Sequence, residues 1–101
     1  MTTFGDAIAT APDLRKIILD NDDVRMLLVT VAPGASAAMH THPRNINYVV
    51  GGGKLRFSTP DGQVREVELF EGQVIEAQAT VHQVENVGET VVQTIQTEFK
   101  T

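Results

Sequence analysis

The chain has 101 residues, of which 42% are apolar and 21% charged, with no cysteine and a formal net charge of −5. A domain of this length buries roughly 60–65% of the surface its unfolded chain would expose, and such a composition belongs to a folded chain. The acidic balance argues against nucleic acid or an anionic membrane as partner, since both require a basic surface. The lack of cysteine excludes disulfides, thiolate metal sites and cysteine nucleophiles.

The N-terminal MTTFGDAIAT lacks the basic and continuous apolar regions of a signal peptide. No apolar run approaches the roughly 20 residues needed to span a bilayer. A cytoplasmic protein is the expectation. No repeat, low-complexity tract or linker interrupts the chain, so residues 1–101 read as one domain with 1–13 as an N-terminal extension. Asp6 to Ala11 is short and Ala-rich, the only stretch with helical character, and Pro12 would end it.

Short runs rich in Val, Ile, Leu and Thr then follow, separated by turn residues. LRKIILD (14–20) precedes the polar NDD. VRMLLVTV (24–31) stops at Pro33-Gly34, and INYVV (46–50) at Gly51-Gly52-Gly53. KLRFST (54–59) leads into Pro60-Asp61-Gly62, where proline presets φ and glycine supplies a positive φ. QVREVEL (63–69), QVIEA (73–77), VHQVEN (81–86) and TVVQTIQTEF (90–99) complete the series. About eight strands at intervals of 8–12 residues predict an all-β antiparallel barrel or sandwich. In the last run Val91, Ile95 and Phe99 share one parity and Thr94, Gln96 and Glu98 the other, which predicts a half-buried strand with its apolar side inward. Composition and parity give a candidate core of Met26, Leu28, Tyr48, Val50, Phe57, Ile75, Val84 and Ile95.

HTHPRNIN (40–47) holds two of the three histidines. In an extended chain residues i and i+2 share a face, so His40 and His42 can present their imidazoles to one ion. Pro43 holds His42 extended. Alone, such a pair is equally a solvated loop feature. His82, on a later β-like run, could supply a third imidazole once the sheet rolls up. Taken singly, it is equally a core-edge histidine.

This layout resembles the cupin family, and small single-domain bacterial cupins in particular. The first cupin motif is G-(X)5-H-X-H-(X)3,4-E-(X)6-G. Gly34, then ASAAM, then His40-Thr41-His42 match it, Asn47 stands at the glutamate position, and the glycines from Gly51 follow. The second motif is G-(X)5-P-X-G-(X)2-H-(X)3-N. Gly72 opens it one residue short of the usual spacing, Ala77 and Ala79 stand at the proline and glycine positions, and His82 and Asn86 keep the H-(X)3-N interval. The resemblance covers about Val24 to Phe99. It implies a double-stranded β-helix barrel over 24–99, a divalent transition metal held by His40, His42 and His82, and a homodimer.

Asn47 is the departure from the pattern. An asparagine oxygen is a neutral, weaker ligand than a carboxylate, or no ligand, so a bound ion would keep its full charge and favour an anionic bidentate ligand. Three-histidine cupins include iron dioxygenases, so the resemblance implies a metal-dependent enzyme acting on a small oxygenated organic molecule, with dioxygenase-type chemistry first and iron as the metal. Zn, Ni, Mn or Cu, a lyase or isomerase, and a non-catalytic ligand-binding barrel are the alternatives. Tyr48 and Gln93 are the candidate catalytic groups. Glu76 and Glu85 could replace the missing carboxylate, Arg44 could meet an anionic substrate at the mouth, and Asn86 reads as a turn-closing group.

Overall fold

The computed structural model describes residues 14–100; the short helical expectation at Asp6 to Ala11 lies outside them. Among the described residues nine strands form two antiparallel sheets: β1 (Arg15–Asp20), β2 (Val24–Val31), β3 (Ser36–His42), β4 (Asn45–Gly51), β5 (Gly53–Ser58), β6 (Val64–Leu69), β7 (Val74–Ala77), β8 (Thr80–Asn86) and β9 (Val92–Phe99). One sheet has the order β1-β2-β9-β4-β7 and the other β3-β8-β5-β6. The all-β expectation holds. Among the described residues no helix is long and apolar enough to cross a membrane.

The turns behave as their residues dictate. Gly62 takes φ +89° in the β5–β6 turn and Gly34 φ +81° after Pro33, a region that glycine enters without a Cβ penalty. Thr59 N–H donates to Gln63 O at 2.9 Å to close the hairpin.

β3 is absent from the predicted series as a full strand. Its sequence, SAAMHTH, has little of the β-branched and aromatic content that marks strands. It is held in the sheet by pairing with β8, with His40 opposite His82 and His42 opposite Thr80.

The core lies between the sheets. Val49 and Val92 from one face Ala37, Leu55, Leu69 and Val84 from the other. Burying each larger member stabilises the fold by about 1.5–3 kcal/mol. The predicted core is corrected along three strands. Leu27 and Val31 are buried on β2, not Met26 and Leu28. On β4 Val49 is buried, while Tyr48 and Val50 are exposed. On β9 the parity is reversed: Thr94, Gln96 and Glu98 point inward with Val92, and Ile95 and Phe99 are only half-buried. Of the remaining candidates, Val84 is buried, and Phe57 and Ile75 are partly buried against the core.

The reversal has a physical reason. The interior of the sandwich is apolar at one end and polar at the other. At the polar end Arg15, His40, His42, Asn45, Gln96 and Glu98 are all buried. A strand lining such an interior turns its polar residues in, so hydrophobic alternation points the wrong way.

Candidate metal centre

The three histidines meet at the polar end. His40 and His82 are cross-strand partners on β3 and β8, and His42 is two residues along β3 on the same face. Ring centroids are 4.7 Å apart for His40–His42, 4.8 Å for His40–His82 and 5.0 Å for His42–His82. One ligating nitrogen from each ring falls within 4.8 Å of the others. Phe57 packs beside His82, with ring centroids 5.1 Å apart.

Hydrogen bonds assign the tautomers of two rings. His40 Nδ1 lies 2.6 Å from Ala38 O, and a carbonyl only accepts, so Nδ1 carries the proton. His42 Nδ1 lies 2.9 Å from Glu98 Oε2 and donates to that carboxylate. In the neutral rings both Nε2 atoms are therefore unprotonated acceptors; they face each other at 3.0 Å, and that of His40 also lies 3.3 Å from Arg15 Nη2. Two such lone pairs repel unless a positive centre lies near both. Two nitrogens each ~2.1 Å from one ion, at a right angle, stand about 3.0 Å apart. The donor set thus fits a divalent transition metal, with Nε2 of His40 and His42 and a nitrogen of His82 as ligands.

Two of the rings, His40 and His82, are also held in the ligating protonation state. Burial is the main cause that lowers His40 to about 4, helped by the charges of His42 and Arg15 against the opposing Ala38 hydrogen bond. Burial, then His42, His40, Arg15 and Arg65, lowers His82 to about 3. Neutral imidazole is the ligating form, so metal uptake at neutral pH displaces no proton from these two.

Glu98 is the residue of the candidate site that the sequence pattern does not reveal. Its carboxylate is 2% exposed, accepts from His42, and takes Arg25 Nε at 2.8 Å and Nη2 at 2.6 Å on Oε1. Burial pushes its pKa up, but the hydrogen bonds from His42 and Arg25 outweigh it and the net shift is downward. A carboxylate behind a ligating histidine fixes the ring's tautomer and strengthens its donor nitrogen. The negative charge missing at Asn47 is present here, one residue removed from the ligand nitrogens of the histidine cluster. The sequence signal was a lone Glu on the polar parity of β9, read there as solvent-facing.

Asn47 lines the same cavity, of about 550 Å³, as His42 and His82. Its amide is engaged in the wall: Nδ2 donates to Asn45 Oδ1 at 2.7 Å and Oδ1 accepts from Thr94 Oγ1 at 3.4 Å. Gln96 Nε2 also donates to Asn45 Oδ1, at 3.2 Å, while Gln96 Oε1 is buried with no hydrogen-bond partner.

Tyr48 and Gln93 stand apart from this arrangement. Tyr48 is 47% exposed on the outer face of its sheet, and Gln93 donates to Thr30 Oγ1 at 3.2 Å; neither lines the cavity. Glu76 pairs with Arg44 and Glu85 with Arg56, both exposed, so neither replaces the missing carboxylate. Arg44 also lies 4.2 Å over the Phe99 ring and is outside the cavity. Asn86 closes a turn as expected: Nδ2 donates to Val31 O and Thr90 O at 2.8 Å, and Oδ1 accepts from Gly88 N–H.

Residues 27–96 match the family model described as a cupin domain. None of the curated proteins compared matches the chain. Among solved structures, a cupin domain from Bordetella pertussis superposes with a TM-score of 0.79 at 21% identity, covering 100% of both chains. An uncharacterized protein with a double-stranded β-helix domain from Klebsiella pneumoniae gives 0.66 at 22% identity, covering 82% of this chain and 72% of that one. An RmlC-like cupin family protein from Methanocaldococcus jannaschii gives 0.67 at 10% identity, covering 84% and 77%. At such identities the likeness is one of fold, and the match across residues 27–96 carries the assignment: the chain belongs to the cupin family.

Proposed function

We propose that the protein is a metal-dependent enzyme acting on a small oxygenated organic molecule, with His40, His42 and His82 holding a divalent transition metal. The observation that supports this most is the convergence of three imidazoles, with the unprotonated Nε2 atoms of His40 and His42 facing each other at 3.0 Å. When bound, the metal supplies Lewis-acid chemistry and, if it is iron, access to dioxygen. The chain's own residues do the rest. His42 is held in register by Glu98, which Arg25 anchors in turn. The amides of Asn45, Asn47 and Gln96 give the cavity a polar wall, and Leu55, Val67 and Leu69 an apolar one. That mixture suits a small molecule with an oxygenated end and an apolar body.

Dioxygenase-type chemistry is the reading favoured here, on the resemblance of the all-imidazole donor set to that of cupin dioxygenases. The test is oxygen uptake by iron-loaded protein against diketones, catechols and thiols, beside the His42→Ala variant. Uptake that depends on His42 is expected. Turnover that persists without oxygen in Zn- or Ni-loaded protein would replace this reading with a lyase or isomerase.

We further propose that the molecule is a homodimer through the outer face of the five-stranded sheet. Leu28, Ile95, Tyr48 and Val74 form one cross-strand row on that face, which ends at Lys16 on β1, on a sheet whose inner face is polar toward the histidine end. A sheet that turns apolar residues outward is commonly covered, and a C2 pair covers it with the same patch twice. Tyr48→Asp is expected to halve the sedimenting mass with an unchanged circular dichroism spectrum. A wild-type protein that stays monomeric at high concentration contradicts this.

A further inference from the structure

One residue at the histidine cluster competes for the nitrogen that a metal would take. Arg15 opens β1, the edge strand of its sheet, opposite Val29 of β2. It is only 8% exposed, and its Nη2 lies 3.3 Å from His40 Nε2. The His40 proton is on Nδ1, bound to Ala38 O, so Nε2 accepts here and the guanidinium donates. An imidazole nitrogen of this kind has one lone pair, in the plane of its ring. That pair serves an arginine N–H or a metal, not both at once. The charges conflict as well. Behind burial and the neighbouring histidines, the positive charge of Arg15 helps to lower both His40 and His82, and a charge that opposes a proton on these rings also opposes a cation between them.

We propose that Arg15 is a positioning residue of the metal site: its guanidinium holds the His40 nitrogen until a metal displaces it, and so sets how tightly the site loads. This rests on the metalloenzyme reading above and adds a residue that works against the metal. Glu98 and Arg15 then act in opposite senses. Glu98 stands behind His42, on Nδ1, and strengthens its donor nitrogen. Arg15 stands in front of His40, on Nε2, and occupies its donor nitrogen. The two roles give opposite signs on substitution. A merely structural Arg15 gives the sign of Glu98, because loosening β1 beside the cluster can only weaken the site.

The test is the Zn affinity of the full chain, by competition with a chelator, for wild type, Arg15→Met, Arg15→Lys and Arg44→Met. Arg15→Met keeps an unbranched apolar stem and removes the charge and the donors. It should bind Zn about tenfold or more tightly than wild type, as loss of one competing hydrogen bond from a charged group provides. Arg15→Lys keeps a charge and donors and should stay closer to wild type. Arg44→Met removes a guanidinium committed to Glu76 and Phe99 and should leave the affinity unchanged. Equal or weaker binding by folded Arg15→Met overturns the proposal. A second measurement needs no variant: the Arg15 side-chain N–H signals of wild type, followed by NMR, should shift as Zn is added. Signals unmoved at full loading overturn the proposal, and this measurement decides if Arg15→Met does not fold. If neither wild type nor Arg15→Met takes up Zn, the metalloenzyme reading fails and the proposal with it. Zn bound equally by both leaves that reading standing and overturns the proposal alone.

Discussion

Glu98→Ala is expected to be among the most destabilising single substitutions in this protein, by about 3–5 kcal/mol in chemical denaturation. The carboxylate is 2% exposed and holds two groups at once, Arg25 on Oε1 and His42 on Oε2. Removing it leaves a guanidinium with its buried partner gone and an imidazole N–H with no acceptor. Glu98→Gln keeps the volume and one acceptor oxygen but loses the charge. It should fold with a smaller penalty and bind metal 10–100-fold more weakly, as substitution of a group behind a ligating histidine typically does. The check is a Zn titration against a competing chelator, beside the denaturation curve. Glu98→Gln with wild-type metal affinity would show that the carboxylate serves the fold alone.

The second large effect is on pH. His40 and His82 are held at about 4 and about 3, against 6.5 for an unperturbed imidazole. In the metal-free protein the unfolded chain therefore binds more protons than the folded one below pH 6.5. Stability is then full above that value and is lost as pH falls toward 4, at up to about 1.4 kcal/mol per pH unit for each histidine. The part-buried His82 contributes less than its full share. Glu98 adds to the loss at the acid end, since its folded pKa lies below the ordinary carboxylate range and its stabilisation disappears as it protonates. Thermal melts of EDTA-treated protein between pH 7.5 and 4.5 should show a falling Tm. The fall should be reduced in His82→Ala, measured from that variant's own neutral-pH value. A flat profile would mean the histidines are free to charge in the fold.

The sequence makes the fold legible through its turns and runs, and the histidine triad through the spacing of two motifs. Pro60-Asp61-Gly62 announces the β5–β6 hairpin because each residue has a conformational reason to be there. His40, His42 and His82 converge as the resemblance implied, because β3 and β8 pair in a register that sets His40 opposite His82. What stayed hidden shares one cause. Alternation reports which face of a strand is apolar, and here the apolar face of β9 is the outer one. Thr94, Gln96 and Glu98 were therefore assigned to solvent, and Tyr48 and Ile95 to the core, when the cavity demands the reverse. Arg15 was hidden within the run LRKIILD, where nothing marks one residue of an edge strand as reaching the histidines. Such contacts are long-range: Arg15 and His40 are 25 residues apart, and His42 and Glu98 are 56.

The central claim is that three imidazoles hold one metal ion, and elemental mass spectrometry on tag-free full-length protein, purified without chelators, tests it most directly. The sample is run beside a His40→Ala/His42→Ala double variant. Close to one transition-metal ion per chain is expected in the wild type, iron above all, with loss of that ion in the variant. Metal no higher in the wild type than in the variant, including after reconstitution with Fe(II), Zn, Ni and Mn, would contradict the account and leave a barrel that binds its ligand without metal.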